Sequence, residues 1–222
     1  MVYRALRELI VSGRLAPGIR LIESTAAEQL GVSRTPVRSA FHRLLREGYA
    51  VSESEDGERQ RLVVAPMTAA DAADLFHIVG ELEGLAGYYA GGMQTGTRQQ
   101  LAVKLNEFND QLRVESRAKP VDAFRAFELD TAFHRQYVED CAPPRLLALH
   151  DAIKPQAERY ARLYVMALTN ELAISVAEHA VIVRAVRDGD AEAAQRAIET
   201  NWRNAARRIG GMIQRWGESG GW

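Results

Sequence analysis

The chain of 222 residues lacks the features that mark disulfide-bonded, secreted or membrane proteins. Cys141 is its single cysteine, so no internal disulfide can form, and a reducing cytoplasm is the expected location. No uninterrupted apolar run approaches the roughly 18 residues of a membrane span, and the N-terminus lacks the apolar segment of a signal peptide. No neighbouring residues mark Cys141 as a nucleophile, so its thiol is predicted to be unreactive. No membrane partner is predicted.

Strong net charge is also lacking, but the charges are unevenly distributed along the chain. The total is −1, whereas residues 2–48 contain eight Arg and four Glu, a balance of +4 that leaves −5 for the rest. A basic module on an acidic body is the asymmetry expected when one end of a protein meets phosphate. The excess is modest, so it supports a DNA-binding motif and cannot replace one.

Residues 23–48 have the pattern of two short helices joined by a tight turn. Thr25 and Glu28 have the spacing of a capping box at the start of the first helix. Gly31 follows at the position where a helix end favours a residue that tolerates positive φ. A helix, a turn with glycine and a second helix together predict a helix-turn-helix motif.

The second helix combines an apolar face with a cationic and hydroxyl-bearing face. Ser33 or Thr35 can cap its start, and its apolar residues recur at helical spacing. The predicted inward residues are Val37, Ala40, Phe41, Leu44 and Leu45. The predicted DNA-contacting residues at its leading end are Ser33, Arg34, Thr35, Arg38 and His42. This is the pattern of a DNA recognition helix, although an αα-hairpin with a solvated face has the same spacing.

The segments around this motif favour its winged form. Residues 1–12 have the spacing of an amphipathic helix, and residues 49–51 and 62–64 read as strands on either side of a polar loop. Two strands joined by a tip that contains Gly57 make a hairpin, here the wing. Arg59 and Arg61 are candidate DNA contacts in this wing, although the acidic residues beside them would repel phosphate.

From Thr68 onward the sequence contains no convincing strand and reads as six or seven helices. Apolar residues recur at three- and four-residue intervals, and Gly or Pro pairs separate successive helices. The expected fold class is therefore mainly α. We expect a winged helix-turn-helix domain at residues 1–66 and an all-helical bundle at residues 67–222.

Three ionisable residues of the predicted bundle form a candidate metal site. Asp130 and His134 are four residues apart and share one helix face, and His179 lies on an otherwise apolar helix. A carboxylate and two imidazoles that converge inside a bundle suit Zn²⁺, Ni²⁺ or Mn²⁺. A lone His on an apolar helix is more often a hydrogen-bonded core residue, so both interpretations stay open.

The N-terminal pattern closely resembles a bacterial regulator. The stretch LGVSRTPVRSAFHRLLREG, preceded by SGRLAPGIRLIE, is similar to the DNA-binding domain of the GntR superfamily of transcription regulators. The resemblance covers nearly all of residues 3–65. It implies that Arg34, Thr35 and Arg38 face DNA and that the wing tip around Gly57 approaches the minor groove.

The helical half resembles the FCD effector domain of the FadR-type branch, through ELDTAFHRQYV and AEHAVIVRAVRDGDAEAAQRAI. The resemblance implies that Asp130, His134 and His179 belong to a metal set of one Asp and three His, beneath a pocket for a small organic acid. Asn201 stands where the third His is expected, and Gly80 stands where the family often has an Arg. The candidate residues for binding the effector carboxylate are Arg125, Arg159 and Arg162.

Both resemblances imply a DNA-binding regulator and not an enzyme. One recognition helix covers few base pairs, so we expect a homodimer, held by the helical domain, on an inverted-repeat operator. The predicted protein is a repressor that a small organic acid releases from DNA. Two alternatives stay open: a DNA-binding protein with an effector-blind dimerisation domain, and a metal-dependent enzyme. The enzyme would need a catalytic group beside the three metal candidates, and the sequence offers none.

Overall fold

The computed structural model describes residues 1–55 and 59–217, which divide into two compact units. One unit comprises residues 1–69 together with the end of the last helix from Ile213, and the other comprises residues 70–212. Most described residues are helical, and one two-stranded sheet is present. This confirms the predicted fold class. Within the described ranges, no helix is both long and apolar enough to cross a membrane.

Residues 1–69 of the first unit form three helices and a hairpin around one apolar core. Its elements are α1 (Val2–Val11), α2 (Glu23–Leu30), α3 (Arg34–Arg46), β1 (Ala50–Glu55) and β2 (Arg59–Val64). The strands are antiparallel, with Ala50 opposite Val64. Core side chains come from all five elements and include Leu6, Ala27, Phe41, Leu44, Ala50 and Val64. Amphipathic helices that bury one stripe against a short hairpin give the predicted winged helix-turn-helix.

The turn between α2 and α3 follows the prediction at its glycine and departs from it at the helix start. Gly31 has φ of 64°, the left-handed conformation that ends a helix. The capping box predicted at Thr25 is wrong, because α2 already begins at Glu23, three residues before the start that a Thr25 cap requires. The N-cap position is held by Ile22, whose apolar side chain has no oxygen to accept a free backbone N–H, and its carbonyl accepts the first helical bond, from the Ala26 N–H.

The recognition helix α3 begins after Ser33, as predicted, although the Ser33 side chain makes no capping hydrogen bond. Four of the five predicted inward residues are buried: Val37, Ala40, Phe41 and Leu44. Leu45 is 40% exposed, so its predicted inward position is wrong. It lies one residue, about 100° around the helix, beyond the narrow buried stripe that ends at Leu44.

The second unit contains most of six α-helices, which fits the six or seven predicted from periodicity. They are α4 (Ala69–Gly91), α5 (Thr95–Glu115), α6 (Ala123–Cys141), α7 (Pro144–Leu168), α8 (Leu172–Asp188) and α9 (Ala191–Trp216). Pro155 lies inside α7, which continues through it. The predicted Gly189-Asp190 turn is confirmed: Gly189 has φ of 78°, and Asp190 accepts the N–H of Ala193 at 2.8 Å.

Glycines let α4 and α9 approach closely. A Cβ at Gly80 would lie 2.9 Å from Trp202 Cβ, and one at Gly87 would lie 2.3 Å from Ile198 Cδ1. Both separations are shorter than the roughly 3.5–4.0 Å of favourable carbon contacts. Trp202 therefore occupies the space that an Arg at position 80 would need, which explains why Gly80 departs from the resembled pattern.

Candidate DNA-binding surface and candidate metal centre

The predicted DNA-contacting side chains of α3 share an exposed surface. These exposed residues are Ser33, Arg34, Thr35, Arg38 and His42. Their helix buries its apolar stripe in the core of the first unit, so its leading end is free to enter a DNA groove. This is the arrangement that a recognition helix requires.

Arg38 is held by Glu23, a contact that the sequence did not reveal. Its Nε and one terminal nitrogen donate to the two carboxylate oxygens of Glu23, each at 2.8 Å. The hydrogen bonds lower the pKa of Glu23 and raise that of Arg38. A bidentate pair restricts a guanidinium to one orientation, so Glu23 presents Arg38 in a defined geometry. Residues fifteen apart on two helices leave no periodic signal of such a contact.

The wing is described only in part. Gly57, its predicted tip, lies outside the described residues, and Arg59 is the first residue of β2. The backbone register places Glu53 of β1 directly opposite Arg61 of β2. Opposite charges at facing positions of antiparallel strands stabilise the pair. The negative charge of Glu53 is therefore balanced by Arg61 within the hairpin. DNA contact by Arg59 and Arg61 remains a prediction.

In the second unit, Asp130, His134 and His179 lie close together. One ligand atom of each lies within 4.8 Å of the others. Asp130 and His134 are one turn apart on α6, and His179 of α8 stacks on Phe133 with ring centroids 3.9 Å apart. His179 Nε2 is 3.5 Å from Asp130 Oδ1. The three side chains thus surround a space that one cation could occupy.

His179 is fully buried, and neither of its ring nitrogens has a hydrogen-bond partner among the described residues. Burial lowers its pKa well below the ordinary value, and His134 and Arg208 lower it further, so the ring is neutral. An unpartnered buried polar group costs about 1–3 kcal/mol, and a neutral imidazole offers a lone pair to a metal. The residues present therefore fit a divalent cation. The alternative, that His179 is a hydrogen-bonded core residue, is not supported, because its ring has no hydrogen-bond partner among the described residues.

Asn201 of α9 is buried and lines the same pocket as Asp130 and His134. Its Nδ2 donates to Glu178 Oε2 at 2.8 Å. A carboxylate only accepts hydrogen bonds, so the amide nitrogen must face Glu178 and the amide oxygen is left for the pocket. With Asn201, the candidate donors are two imidazoles and two oxygens, a set that suits Mn²⁺ better than an all-imidazole set would.

The pocket beside these residues is mainly apolar, with Phe76, Phe127 and Trp202 in its lining. The three predicted effector-binding arginines are not part of its described lining. Arg125 is exposed and donates to Gln111, Arg159 is buried on α7, and Arg162 lies over the Phe127 ring, 5.2 Å from the centroid.

The two cations among the described lining residues are Lys154 and Arg208. Lys154 donates to Glu83 at 2.8 Å, and Arg208 donates to both oxygens of Glu178 at 3.2 Å. Both positive charges are therefore already paired with carboxylates. Sequence reasoning identified neither Glu83 nor Glu178, because acidic residues on a helix are ordinarily solvated.

Comparison with known families accounts for both units. The family described as bacterial regulatory proteins, gntR family, matches residues 1–59, and the FCD domain matches residues 74–204, more than half of the chain. The solved structure of McbR/YncC from E. coli superposes with a TM-score of 0.70 over 96% of both chains. At 21% sequence identity, this match shows a shared fold.

Two curated relatives match over most of their length. An uncharacterized HTH-type transcriptional regulator from an unstable DNA locus of Streptomyces ambofaciens is 29% identical over 207 residues, which cover 91% of this chain and 80% of the relative. A probable D-xylose utilization operon transcriptional repressor of Paenarthrobacter nicotinovorans is 29% identical over 193 residues, 85% of this chain and 78% of the relative. The chain belongs to the gntR family of bacterial regulatory proteins and carries an FCD domain.

Proposed function

We propose that this chain is a repressor that a small organic acid releases from its operator. Residues 1–66 bind an inverted-repeat site on double-stranded DNA, and residues 67–222 bind the effector and hold the homodimer together. The observation that carries this proposal is the buried imidazole of His179, which has no hydrogen-bond partner among the described residues and lies beside Asp130 and His134 of the pocket lining, in a chain whose other unit exposes a basic recognition helix. Such a protein acts in the cytoplasm, where operator DNA is accessible.

The metal site that we propose uses Asp130, His134 and His179, with the Asn201 oxygen as a fourth, weaker donor. A divalent cation bound there supplies a positive centre that an effector carboxylate can approach. This matters because Lys154 and Arg208 are already paired with carboxylates. Recognition of an organic acid in this pocket is therefore metal-dependent, and the apolar lining selects the rest of the effector.

A homodimer is supported by an exposed apolar face on α4. Ile78, Leu85 and Tyr89 are 47%, 40% and 42% exposed and lie seven and four residues apart, on one side of the helix. Large exposed apolar side chains in a row mark an association surface. Sedimentation of the purified protein should show a dimer both free and on operator DNA. A monomer under both conditions would contradict the proposed assembly.

A thermal-shift panel tests the effector proposal. Small organic acids are added with Mn²⁺, with Zn²⁺ and with chelator, and the acid that fits should raise Tm only in the presence of a metal, since binding to the native state stabilises it. That acid should then release operator DNA in a mobility-shift assay. His179→Ala should abolish the shift, whereas His77→Ala, which removes an exposed histidine of α4, should preserve it. If no acid raises Tm under any condition, the domain is effector-blind.

A further inference from the structure

The carboxylate of Glu83 is the most heavily hydrogen-bonded side chain near the candidate metal centre. It lies on α4 with no solvent exposure. Five side chains from three other helices contact its two oxygens: His134 Nδ1, Tyr137 Oη and Trp202 Nε1 at Oε2, and His150 Nε2 and Lys154 Nζ at Oε1. Burial alone would raise the pKa of Glu83, but the Lys154 ammonium and the hydrogen bonds from His134 and His150 outweigh it and hold the pKa well below its ordinary value. The carboxylate is therefore charged.

This carboxylate decides which nitrogen of His134 carries the proton. His134 Nδ1 lies 2.7 Å from Glu83 Oε2 and 2.7 Å from Tyr137 Oη. The Tyr137 hydroxyl donates its own proton to Glu83, so its oxygen accepts from His134. Neither neighbour can donate to Nδ1, so Nδ1 must be protonated and Nε2 is left with the lone pair. Of the two ring nitrogens, only Nε2 of a neutral His134 is free to bind a cation.

We propose that Glu83 is the positioning residue of the metal centre: it fixes the tautomer and the ring orientation of His134, so that Nε2 is presented to a cation shared with Asp130 and His179. This inference rests on the metal site of the proposed function. A carboxylate behind a ligating imidazole also increases its basicity, and loss of such a partner typically weakens metal binding by about 10–100-fold.

Glu83 could instead serve only to join four helices, and a matched variant separates the two roles. His150 donates to the other oxygen of the same carboxylate, at 3.0 Å, and is not part of the candidate metal set. Glu83→Gln and His150→Gln both disturb hydrogen bonds of this buried cluster, so both should lower Tm, and Glu83→Gln should lower it more because it also leaves Lys154 without its carboxylate. Only Glu83→Gln leaves His134 without its charged acceptor.

The test titrates Mn²⁺ and Zn²⁺ alone, by calorimetry, into the wild type and the two variants. We expect Glu83→Gln to bind the preferred ion about 10–100-fold more weakly than the wild type, and His150→Gln to bind it with nearly wild-type affinity. If the two variants bind the metal ion with equal affinity, the role of Glu83 is wrong, but the metal site itself is not contradicted. If the wild type binds neither ion, both the metal site and this role are wrong.

A second measurement reads the metal-free wild type directly, and a variant serves only to assign its signals. Long-range ¹H–¹⁵N NMR of the metal-free wild type reports the tautomer of each histidine, and His134→Gln assigns the His134 signals by their loss. The proposal requires His134 to carry its proton on Nδ1. A proton on Nε2 alone would overturn it, because the nitrogen facing Glu83 would then have no hydrogen to donate.

Discussion

The two units of this protein place their charges in opposite ways. In the described part of residues 1–69, the buried side chains are hydrophobic, and the arginines of the recognition helix lie at the surface. Among the residues of 70–212 whose burial is described, eight polar or charged side chains are buried: Glu83, Asn109, His134, His150, Lys154, Arg159, His179 and Asn201. A DNA-binding surface needs charges that a partner can reach. A pocket for an ion needs charges held away from water, where an unpaired charge is costly.

The largest effect should come from unpairing a buried charge. Lys154 Nζ lies 2.8 Å from Glu83 Oε1 and 4.3 Å from the Trp202 ring centroid. Lys154→Met keeps most of the side-chain volume but leaves Glu83 charged without its cation, which should lower the free energy of unfolding by about 3–5 kcal/mol. Urea denaturation measures this change.

The exposed pair of the first unit is the control for that measurement. Arg38→Ala removes an ion pair of equal length, but the Glu23 carboxylate that it leaves unpaired is 32% exposed, so water can solvate its charge. It should barely change the urea midpoint. Equal losses for Lys154→Met and Arg38→Ala would mean that burial of charge does not distinguish the two units.

The effect of Arg38→Ala should appear instead in DNA binding. A guanidinium in the major groove can bond guanine with two hydrogen bonds, so its loss should weaken operator binding by about 10–100-fold and lower the ratio of specific to non-specific affinity. Arg61→Ala in the wing should weaken binding to all sequences and flatten the salt dependence. Fluorescence anisotropy at several salt concentrations separates the two. The prediction fails if Arg38→Ala leaves the specificity ratio unchanged.

A smaller gain should follow from completing the metal set. Asn201→His replaces an amide oxygen by an imidazole, so affinity for Zn²⁺ or Ni²⁺ should rise by roughly an order of magnitude. Native protein should hold these ions weakly or in less than equimolar amount. Asn204→His is the matched control, because Asn204 donates to the same Glu178 but does not line the pocket. Elemental analysis after metal loading decides the matter, and background metal in both variants would contradict the site.

Cys141 should show the smallest effect. Burial, together with Asp140, raises the pKa of its thiol to about 12, and Sγ lies 3.4 Å from Met93 Sδ. A thiol that stays protonated at neutral pH reacts slowly with oxidants. Cys141→Ala should therefore leave operator and metal affinity unchanged, before and after treatment with hydrogen peroxide. Loss of DNA binding on oxidation, prevented by the variant, would reveal a redox role that the structure does not suggest.

The sequence by itself determined the features that arise within one helix or one turn. The left-handed end of α2 at Gly31, the buried stripe of α3 and the Asp190 cap of α9 follow from backbone sterics and helical periodicity. The shared face of Asp130 and His134 follows from their spacing of four on α6. These features depend only on residues close together in the sequence, so they can be predicted without knowing which other helices or strands each element packs against.

Only the tertiary structure decided which charges became buried. Glu81 and Glu83 are two residues apart on α4 and look alike in the sequence, yet Glu81 is exposed and Glu83 is fully buried. Glu83 is buried because side chains of α6, α7 and α9 pack against it and donate hydrogen bonds to it. One of these donors is Trp202, which packs directly against Gly80, where a larger residue would leave no room for it. The pairing of Arg38 with Glu23 is likewise a contact between helices. Such contacts depend on how helices pack against one another, which the periodicity of a single helix does not encode.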